Sequence, residues 1–133
     1  MVQRPSALFR EFAHAVIERG ADLYYGHSAH LFQGVELHQG KPILYDTGDF
    51  LDDYAVDPCL RNDWSFLFLA SLDRGAFRRL EMHPVVLPYA RVCRAAGPDS
   101  EAILTRMGTL CAEMGTRTVR RDSHLVIAPG GTG

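Results

Sequence analysis

The sequence of 133 residues has little lysine, no long apolar run and no closely paired cysteines. Lys41 is its single lysine, so arginine supplies nearly all of the positive charge. The formal net charge of -2 argues against a nucleic-acid partner, because contacts to phosphates require a basic surface. No stretch approaches the roughly 20 apolar residues that cross a bilayer, and the first ten residues lack the apolar segment of a secretory signal. We therefore predict no transmembrane segment, and the compartment stays open.

The three cysteines, Cys59, Cys93 and Cys111, are widely spaced and form no CxxC pair. An odd number at such spacing favours neither a disulfide framework nor a cysteine-rich zinc site, so we expect reduced, mostly packed thiols. With 47% hydrophobic residues and mixed charge, the composition is that of one globular domain with a real core. We assign residues 1–128 to a single α/β domain and residues 129–133 to a flexible tail.

Two main helices and two β-hairpins are predicted from spacing and turn residues. Ser6 is placed to cap the first helix, and an acidic start at 98–101 begins the second, which Gly115 ends. Glycine-containing turns at 39–42 and 73–75 predict the two hairpins. His14 falls on the solvent side of the first helix. The apolar positions form one predicted buried stripe on the other side: Leu8, Phe9, Phe12, Ala13, Val16 and Ile17.

Aspartates crowd the segment that follows the first hairpin, which raises a calcium loop as an alternative to a solvated connection. Their spacing does not fit the EF-hand pattern. We therefore interpret the segment as a solvated connection between strands. The aspartates are Asp46, Asp49, Asp52, Asp53, Asp57 and Asp63, with Asp73 further along.

The segment YYGHSAHLFQG, residues 24–34, places His27 and His30 just after a predicted strand. Ligands of α/β sheets usually bind at the carboxyl ends of strands, and neutral imidazoles bind zinc, iron or manganese. Two ligands are too few for a tight zinc site, which takes three or four. Taken alone, this short spacing favours ordinary turn residues, because such a pattern arises readily by chance.

A longer ordered pattern around the same histidines resembles a known family. The run at 20–50, GADLYYGHSAHLFQGVELHQGKPILYDTGDF, is similar to the C-terminal half of CapA or PgsA-type capsule and poly-γ-glutamate synthesis proteins. These belong to the calcineurin-like metallophosphoesterase superfamily. The family pattern is G-A-D-x-V-x-G-H-x-P-H-x-x-Q-G, followed by G-K-P-I and then Y-S-L-G-N-F. The chain departs from it at Ala29, where the family has proline, and at Asp49, where it has asparagine.

The resemblance implies that His27 and His30 are metal ligands and take part in catalysis at a phosphoesterase-type site. Zinc, manganese or iron ions there lower the pKa of a bridging water that attacks phosphorus, and a histidine protonates the leaving group. The remaining ligands of the superfamily come from earlier D-x-H, G-D and N-H motifs. The resemblance thus implies the C-terminal half of a metallophosphoesterase-like layered sheet with an incomplete metal site. We interpret G-D at 48–49 and D-x-H at 122–124 as coincidences.

Three hypotheses about function follow from these observations. In the first, the chain contributes the GHxxH histidines to a metal-dependent hydrolase that acts on a phosphoester. In the second, it belongs to a capsule or poly-γ-glutamate assembly that binds an anionic polymer, with Arg78 and Arg120 among the contacts. In the third, it is a structural module that self-associates or pairs with a missing N-terminal half. The family is typically found at the cell surface.

Overall fold

The structure is a computed structural model that describes residues 2–51 and 55–130. It shows a mixed α/β fold with two sheets, which confirms the predicted class, the two main helices and both hairpins. Pro129 and Gly130 are exposed, and residues 131–133 of the predicted tail lie outside the described residues. The elements are α1 (Ala7–Glu18), β1 (Tyr24–Tyr25), β2 (Val35–His38), β3 (Lys41–Leu44), β4 (Trp64–Asp73), β5 (Ala76–Val86), β6 (Cys93–Arg94), α2 (Gly97–Glu113), β7 (Val119–Arg121) and β8 (His124–Ile127).

The smaller sheet has the strand order β1-β3-β2. Strands β2 and β3 form the first hairpin, and its two turn residues, Gln39 and Gly40, both have positive φ, 53° and 75°. Such a turn matches the twist of the paired strands, which explains the glycine. Strand β1 runs parallel to β3, with Tyr24 beside Ile43 and Tyr25 beside Leu44. The histidine segment leaves the sheet at the end of this parallel pair.

The larger sheet has the order β4-β5-β8-β7, and β6 pairs with β5. Arg74 and Gly75 form the predicted second turn, again with two positive φ values. A third hairpin, β7 with β8, turns at Asp122 and was not among the predicted pair of hairpins. Helix α2 covers the inner face of this sheet and forms the main core with it. That core includes Phe66, Leu80, Met82, Ile103, Met107, Leu110, Leu125 and Ile127.

Helix α1 begins as predicted but buries only part of its apolar stripe. The hydroxyl of Ser6 accepts a hydrogen bond from the main-chain N–H of Phe9 at 3.2 Å, which confirms the cap. Ala13 and Ile17 are buried against the small sheet, whereas Phe9 and Phe12 are 62% and 58% exposed, as is Leu8 at 73%. The prediction of one buried stripe is therefore wrong for the first half of the helix, because the three-stranded sheet covers only its second half.

The thiols and the membrane prediction have simple outcomes. All three cysteines are free; Cys111 is buried, Cys93 is half-buried and Cys59 is exposed, so the expectation of mostly packed thiols is wrong for Cys59.

Within residues 2–51 and 55–130, neither helix combines the length and the apolar character that a bilayer-crossing segment needs.

Candidate functional site

The histidine segment starts at an edge formed by two parallel strands. Because β1 and β3 are parallel, the residues after Tyr25 and after Leu44 leave the sheet side by side. The N–H of Gly26 donates to the Leu44 carbonyl at 2.8 Å, and the N–H of Thr47 donates to the Gly26 carbonyl at 3.1 Å. The main-chain ladder thus continues one step beyond the strands and places the following loops next to each other.

Gly26 is the residue that allows this close approach. A β-carbon at this position would lie 2.2 Å from the carbonyl oxygen of Tyr45, well inside the contact distance of real atoms. Since the obstacle is main chain, it cannot move aside as a flexible side chain would. The glycine before His27 therefore has a steric role, which the sequence pattern alone did not reveal.

Asp46 joins the two loops, and sequence reasoning assigned it only to the acidic segment. Its carboxylate accepts hydrogen bonds from the N–H of Ala29 at 2.8 Å and from the N–H of Gly48 at 2.9 Å. Its main-chain carbonyl accepts from Gln33 at 2.9 Å. Only 4% of Asp46 is exposed. The available signal was its position two residues after the end of β3, at the same edge as the histidines.

His30 is held against Asp49. Its Nδ1 lies 3.0 and 3.1 Å from the two carboxylate oxygens of Asp49. An ionised carboxylate only accepts hydrogen bonds, so Nδ1 is the donor, and in the neutral ring this leaves the lone pair on Nε2. Metal-binding histidines commonly use the same arrangement, in which one nitrogen donates to a carboxylate and the other binds the ion. The acidic residue at 49 is thus the orienting partner of His30.

His27 has a different environment. It is exposed, and its Nδ1 lies 3.2 Å from the hydroxyl of Ser28. Ser28 has φ of 113° and His30 has φ of 60°, so the backbone of the turn is strained at two non-glycine positions. Such strain persists only where surrounding contacts enforce it, and here Asp46 and Asp49 supply those contacts.

A cleft of about 530 Å³ opens beside the turn. His27 lines it together with Ala29 and Asp46, whereas His30 and Asp49 are not among its lining residues. Within the described parts of the chain, neither histidine joins a group of three potential metal ligands whose ligand atoms lie within 4.8 Å of one another. The turn therefore offers two histidines with different surroundings, and the described residues do not assemble the three ligands of a tight zinc site there.

A buried carboxylate lies below the cleft on β2. Glu36 accepts hydrogen bonds from the Tyr45 hydroxyl at 2.5 Å, from His14 Nε2 at 2.8 Å and from Arg10 at 3.2 Å. The ring of His14 stacks on that of His38 with centroids 3.9 Å apart. The prediction that His14 is only a surface residue is therefore wrong, because a buried acid on the neighbouring strand binds it.

The environment of this network shifts the pKa values of Glu36 and Tyr45 in opposite directions. Burial raises the pKa of Glu36, but the hydrogen bonds from Tyr45 and His14, with the charges of His14 and Arg10, outweigh burial. The pKa of Glu36 therefore lies below its ordinary 4.5. Burial, and then the neighbouring carboxylate, raise the pKa of Tyr45 well above its usual range. Glu36 is thus the charged centre of a structural network, and Tyr45 is its neutral donor.

Comparison with known proteins shows which family this chain resembles. Residues 1–54 match the family described as bacterial capsule synthesis protein PGA_cap. Two strains of Mycobacterium tuberculosis, H37Rv and CDC 1551 / Oshkosh, each have a protein described as "Probable polyglutamine synthesis accessory protein" that is 33% identical over 120 residues. That match covers 86% of this chain and 32% of the relative. This chain is therefore similar to the bacterial capsule synthesis family over residues 1–54 and to these mycobacterial proteins over most of its length.

The match covers only part of each relative. It spans about a third of the length of the mycobacterial proteins. An uncharacterized protein of Sinorhizobium fredii is 35% identical over 51 residues, which cover 38% of this chain and 11% of the relative. The predicted resemblance is confirmed, and the family match at 1–54 includes the whole histidine turn.

A hydrogen bond holds the turn at Ala29, where this chain departs from the family pattern. The pattern has proline at 29 and, in Y-S-L-G-N-F, serine at 46, whereas this chain has alanine and aspartate. Proline has no N–H, but Ala29 has one and donates it to Asp46. The turn is therefore held by a hydrogen bond where the family pattern has a rigid ring, and the loss of proline does not leave it loose.

Beyond the turn, the described aspartates act locally. Asp57 accepts from the N–H groups of Cys59 and Leu60, both at 2.8 Å, and the bonds to Leu60 and then Cys59 hold the pKa of Asp57 below its ordinary value. Asp63 pairs with Arg61 at 2.8 Å. These contacts agree with a solvated connection, while Asp52 and Asp53 of the acidic segment lie outside the described residues.

The arginines considered as polymer contacts are paired with acids. Arg78 lies 3.4 Å from Asp73, and Arg120 makes two contacts with Glu101, one of them at 2.8 Å. An anionic polymer would therefore compete with a carboxylate for either guanidinium.

Proposed function

We propose that the histidine turn contributes His27 and His30 to a metal-dependent phosphoesterase-type site of a capsule or poly-γ-glutamate synthesis protein. The observation that carries this proposal is the contact between His30 Nδ1 and Asp49 at the carboxyl edge of the parallel strands. It gives His30 the tautomer and the orientation that a metal ligand needs. The family match and the name of the mycobacterial relatives support the polymer-synthesis part of the proposal.

In this proposal each residue of the turn has a separate task. His30 and His27 hold a divalent zinc, manganese or iron ion, Asp49 orients His30, and Asp46 keeps the turn in shape. When bound, such an ion lowers the pKa of a coordinated water and polarises a phosphoryl oxygen. His27 also lines the cleft, so an entering phosphoester or anionic polymer would meet the ion that it holds. In this proposal the remaining metal ligands come from residues other than those of the histidine turn.

The metal part of the proposal is tested with Mn²⁺ and nuclear magnetic resonance, which detects weak sites through paramagnetic broadening. We expect the amide signals of Gly26, His30 and Asp49 to broaden as Mn²⁺ is added to the chain. The broadening should disappear in His27→Ala and in His30→Ala. His38→Ala is a matched control, because that histidine lies in the same sheet and pairs with Glu18 at 3.2 Å. No broadening at the turn in the unchanged chain would rule the proposal out.

The phosphate part needs its own measurement. With Mn²⁺ present, inorganic phosphate should show a broader phosphorus signal with the unchanged chain than with His27→Ala. Equal line widths for both chains would show that the turn does not bring phosphate to the ion. Metal binding without this difference would leave a metal site with a different substrate.

A second candidate function is that of a module that pairs with another copy of itself. Leu8, Phe9 and Phe12 of α1 are more than half exposed and lie on one side of the helix. Burial of such side chains in an interface is favourable at about 25 cal/mol per Å² of apolar surface. Sedimentation should then show a dimer that Phe9→Ser with Phe12→Ser converts to a folded monomer. A monomer before any substitution would contradict this candidate.

A further inference from the structure

Two histidines and a glutamate meet on the outer face of the larger sheet, away from the histidine turn. Glu81 and His83 alternate along β5 with Met82, which is fully buried, so both project from the face opposite the core. Strand β8 pairs with β5 at Met82 and Leu125. The next step in this antiparallel register sets His124 beside His83. The sheet therefore brings together three residues that are distant in sequence.

Both imidazoles lie next to one carboxylate oxygen. Glu81 Oε1 is 3.3 Å from His83 Nε2 and 3.6 Å from His124 Nε2. The two rings stack with centroids 4.3 Å apart and planes inclined by 21°. The other oxygen of Glu81 lies 3.1 Å from the guanidinium of Arg79. This ion pair holds the carboxylate with Oε1 toward the two histidines.

These distances fit a tetrahedral metal ion. Zinc bonds of about 2.1 Å to nitrogen and oxygen place neighbouring ligand atoms about 3.4 Å apart. The two distances to Oε1 lie on either side of that value, and the three ligand atoms are all within 4.8 Å of one another. Two imidazoles and one carboxylate are a ligand set that zinc accepts with a water in the fourth position. Among the residues that the structure describes, this is the one group of three such side chains at this spacing.

The three side chains are accessible and also well held. Those of Glu81, His83 and His124 are 21%, 28% and 19% exposed, so an ion can reach them from solvent. Leu67 and Leu69 pair with His83 and Glu81 across β4, and their apolar side chains flank the group on that side. The paired strands keep the three side chains on one face, and the two stacked rings must turn so that both Nε2 lone pairs point at one ion.

We infer that Glu81, His83 and His124 bind one divalent transition-metal ion of the zinc class, which joins β5 to β8. The site shares no residue with the histidine turn. The inference therefore goes beyond the proposed function and is tested independently of it. The sequence D-x-H at 122–124, interpreted above as a coincidence, supplies one of the ligands. Imidazole must be neutral to bind, so protons compete with the ion as the pH falls.

The test is isothermal titration calorimetry of the whole chain with Zn²⁺, in a Cys59→Ser background that removes the exposed thiol. We expect one tightly bound Zn²⁺ per chain, distinct from any weaker binding at the histidine turn, which supplies only two ligands. Loss of partners outside the ligand shell costs about 10- to 100-fold in affinity, so loss of a ligand in His124→Asn or Glu81→Gln should cost at least about 100-fold. The double variant His27→Ala with His30→Ala should keep this binding. Unchanged affinity in Glu81→Gln and His124→Asn would overturn the inference.

A second measurement covers the case in which a variant does not fold. In the unchanged chain, Zn²⁺ should shift the imidazole signals of His83 and His124 and leave those of His38 in place. Shifts confined to His27 and His30 would overturn the inference while supporting the proposed function. The two sites are thus distinguished within a single titration.

Discussion

The N–H of Ala29 donates a hydrogen bond to the Asp46 carboxylate at 2.8 Å and so joins the histidine turn to the end of β3. Both residues differ from the family pattern, which has proline and serine at these positions. A proline at 29 would remove the donor and leave a buried carboxylate oxygen with one partner fewer. The pair therefore makes the turn dependent on one specific hydrogen bond.

We predict that Ala29→Pro alone lowers the free energy of unfolding by about 1–3 kcal/mol, because a buried acceptor loses its partner. The double variant Ala29→Pro with Asp46→Ser should recover most of that loss, since it restores the family combination. Chemical denaturation of the four chains in a double-mutant cycle measures the coupling. Additive effects of the two substitutions would contradict the account of the turn.

The role of Asp49 predicts a graded effect on metal binding. Asp49→Ala removes the acceptor of His30 Nδ1 and should weaken Mn²⁺ binding at the turn about 10- to 100-fold, as loss of an orienting partner does elsewhere. Asp49→Asn keeps a side-chain oxygen that accepts from Nδ1 and should retain most of the affinity. Titration of the broadened His30 signal gives both values. Equal losses in the two variants would point to the charge of Asp49 rather than its orienting hydrogen bond.

Two glycines should respond in opposite directions to alanine. Gly26→Ala sets a β-carbon 2.2 Å from the Tyr45 carbonyl, and such overpacking costs about 1–3 kcal/mol or more. Gly108 lies within α2, and its nearest neighbour to an added β-carbon is Thr118 Oγ1 at 3.8 Å. Gly108→Ala should therefore raise the free energy of unfolding by about 0.5–1 kcal/mol. Thermal unfolding of both variants measures the contrast, and a stabilised Gly26→Ala would show that the turn is not tightly packed.

The Glu36 network predicts a pH-dependent contribution to stability. Because its pKa is lower in the folded chain than the ordinary 4.5, the ionised carboxylate stabilises the fold above that pH. The contribution is lost as the pH falls from about 4.5 through the lower folded pKa. Glu36→Gln should lower the free energy of unfolding by about 1–3 kcal/mol near neutral pH, and this difference should shrink in acid.

The matched control for this prediction is Glu18→Gln. Glu18 pairs with His38 at the surface, with its side chain 51% exposed, and such pairs contribute at most about 1 kcal/mol. Urea denaturation from about pH 3 to about pH 7 compares the two variants. A Glu36→Gln difference that stays constant over this range would show that the charge of Glu36 is not what stabilises the network.

Much of the fold could be predicted because its signals are local. The Ser6 cap and the turns at Gly40 and Gly75 each depend on residues within a few positions of one another. The family pattern at 20–50 is also local, and it identified the histidine turn before any coordinates.

The contacts between segments that are distant in sequence could not be predicted from such local signals. Which half of α1 is buried depends on the width of a sheet that forms elsewhere in the chain. His14 is bound because β2 brings Glu36 beneath it, and Asp46 reaches Ala29 only after β1 and β3 align. The sequence determined the two helices, two of the three hairpins and the resemblance to the capsule synthesis family. Tertiary structure decided which polar side chains meet, because strand register sets those contacts and a shift of one residue turns every side chain to the opposite face.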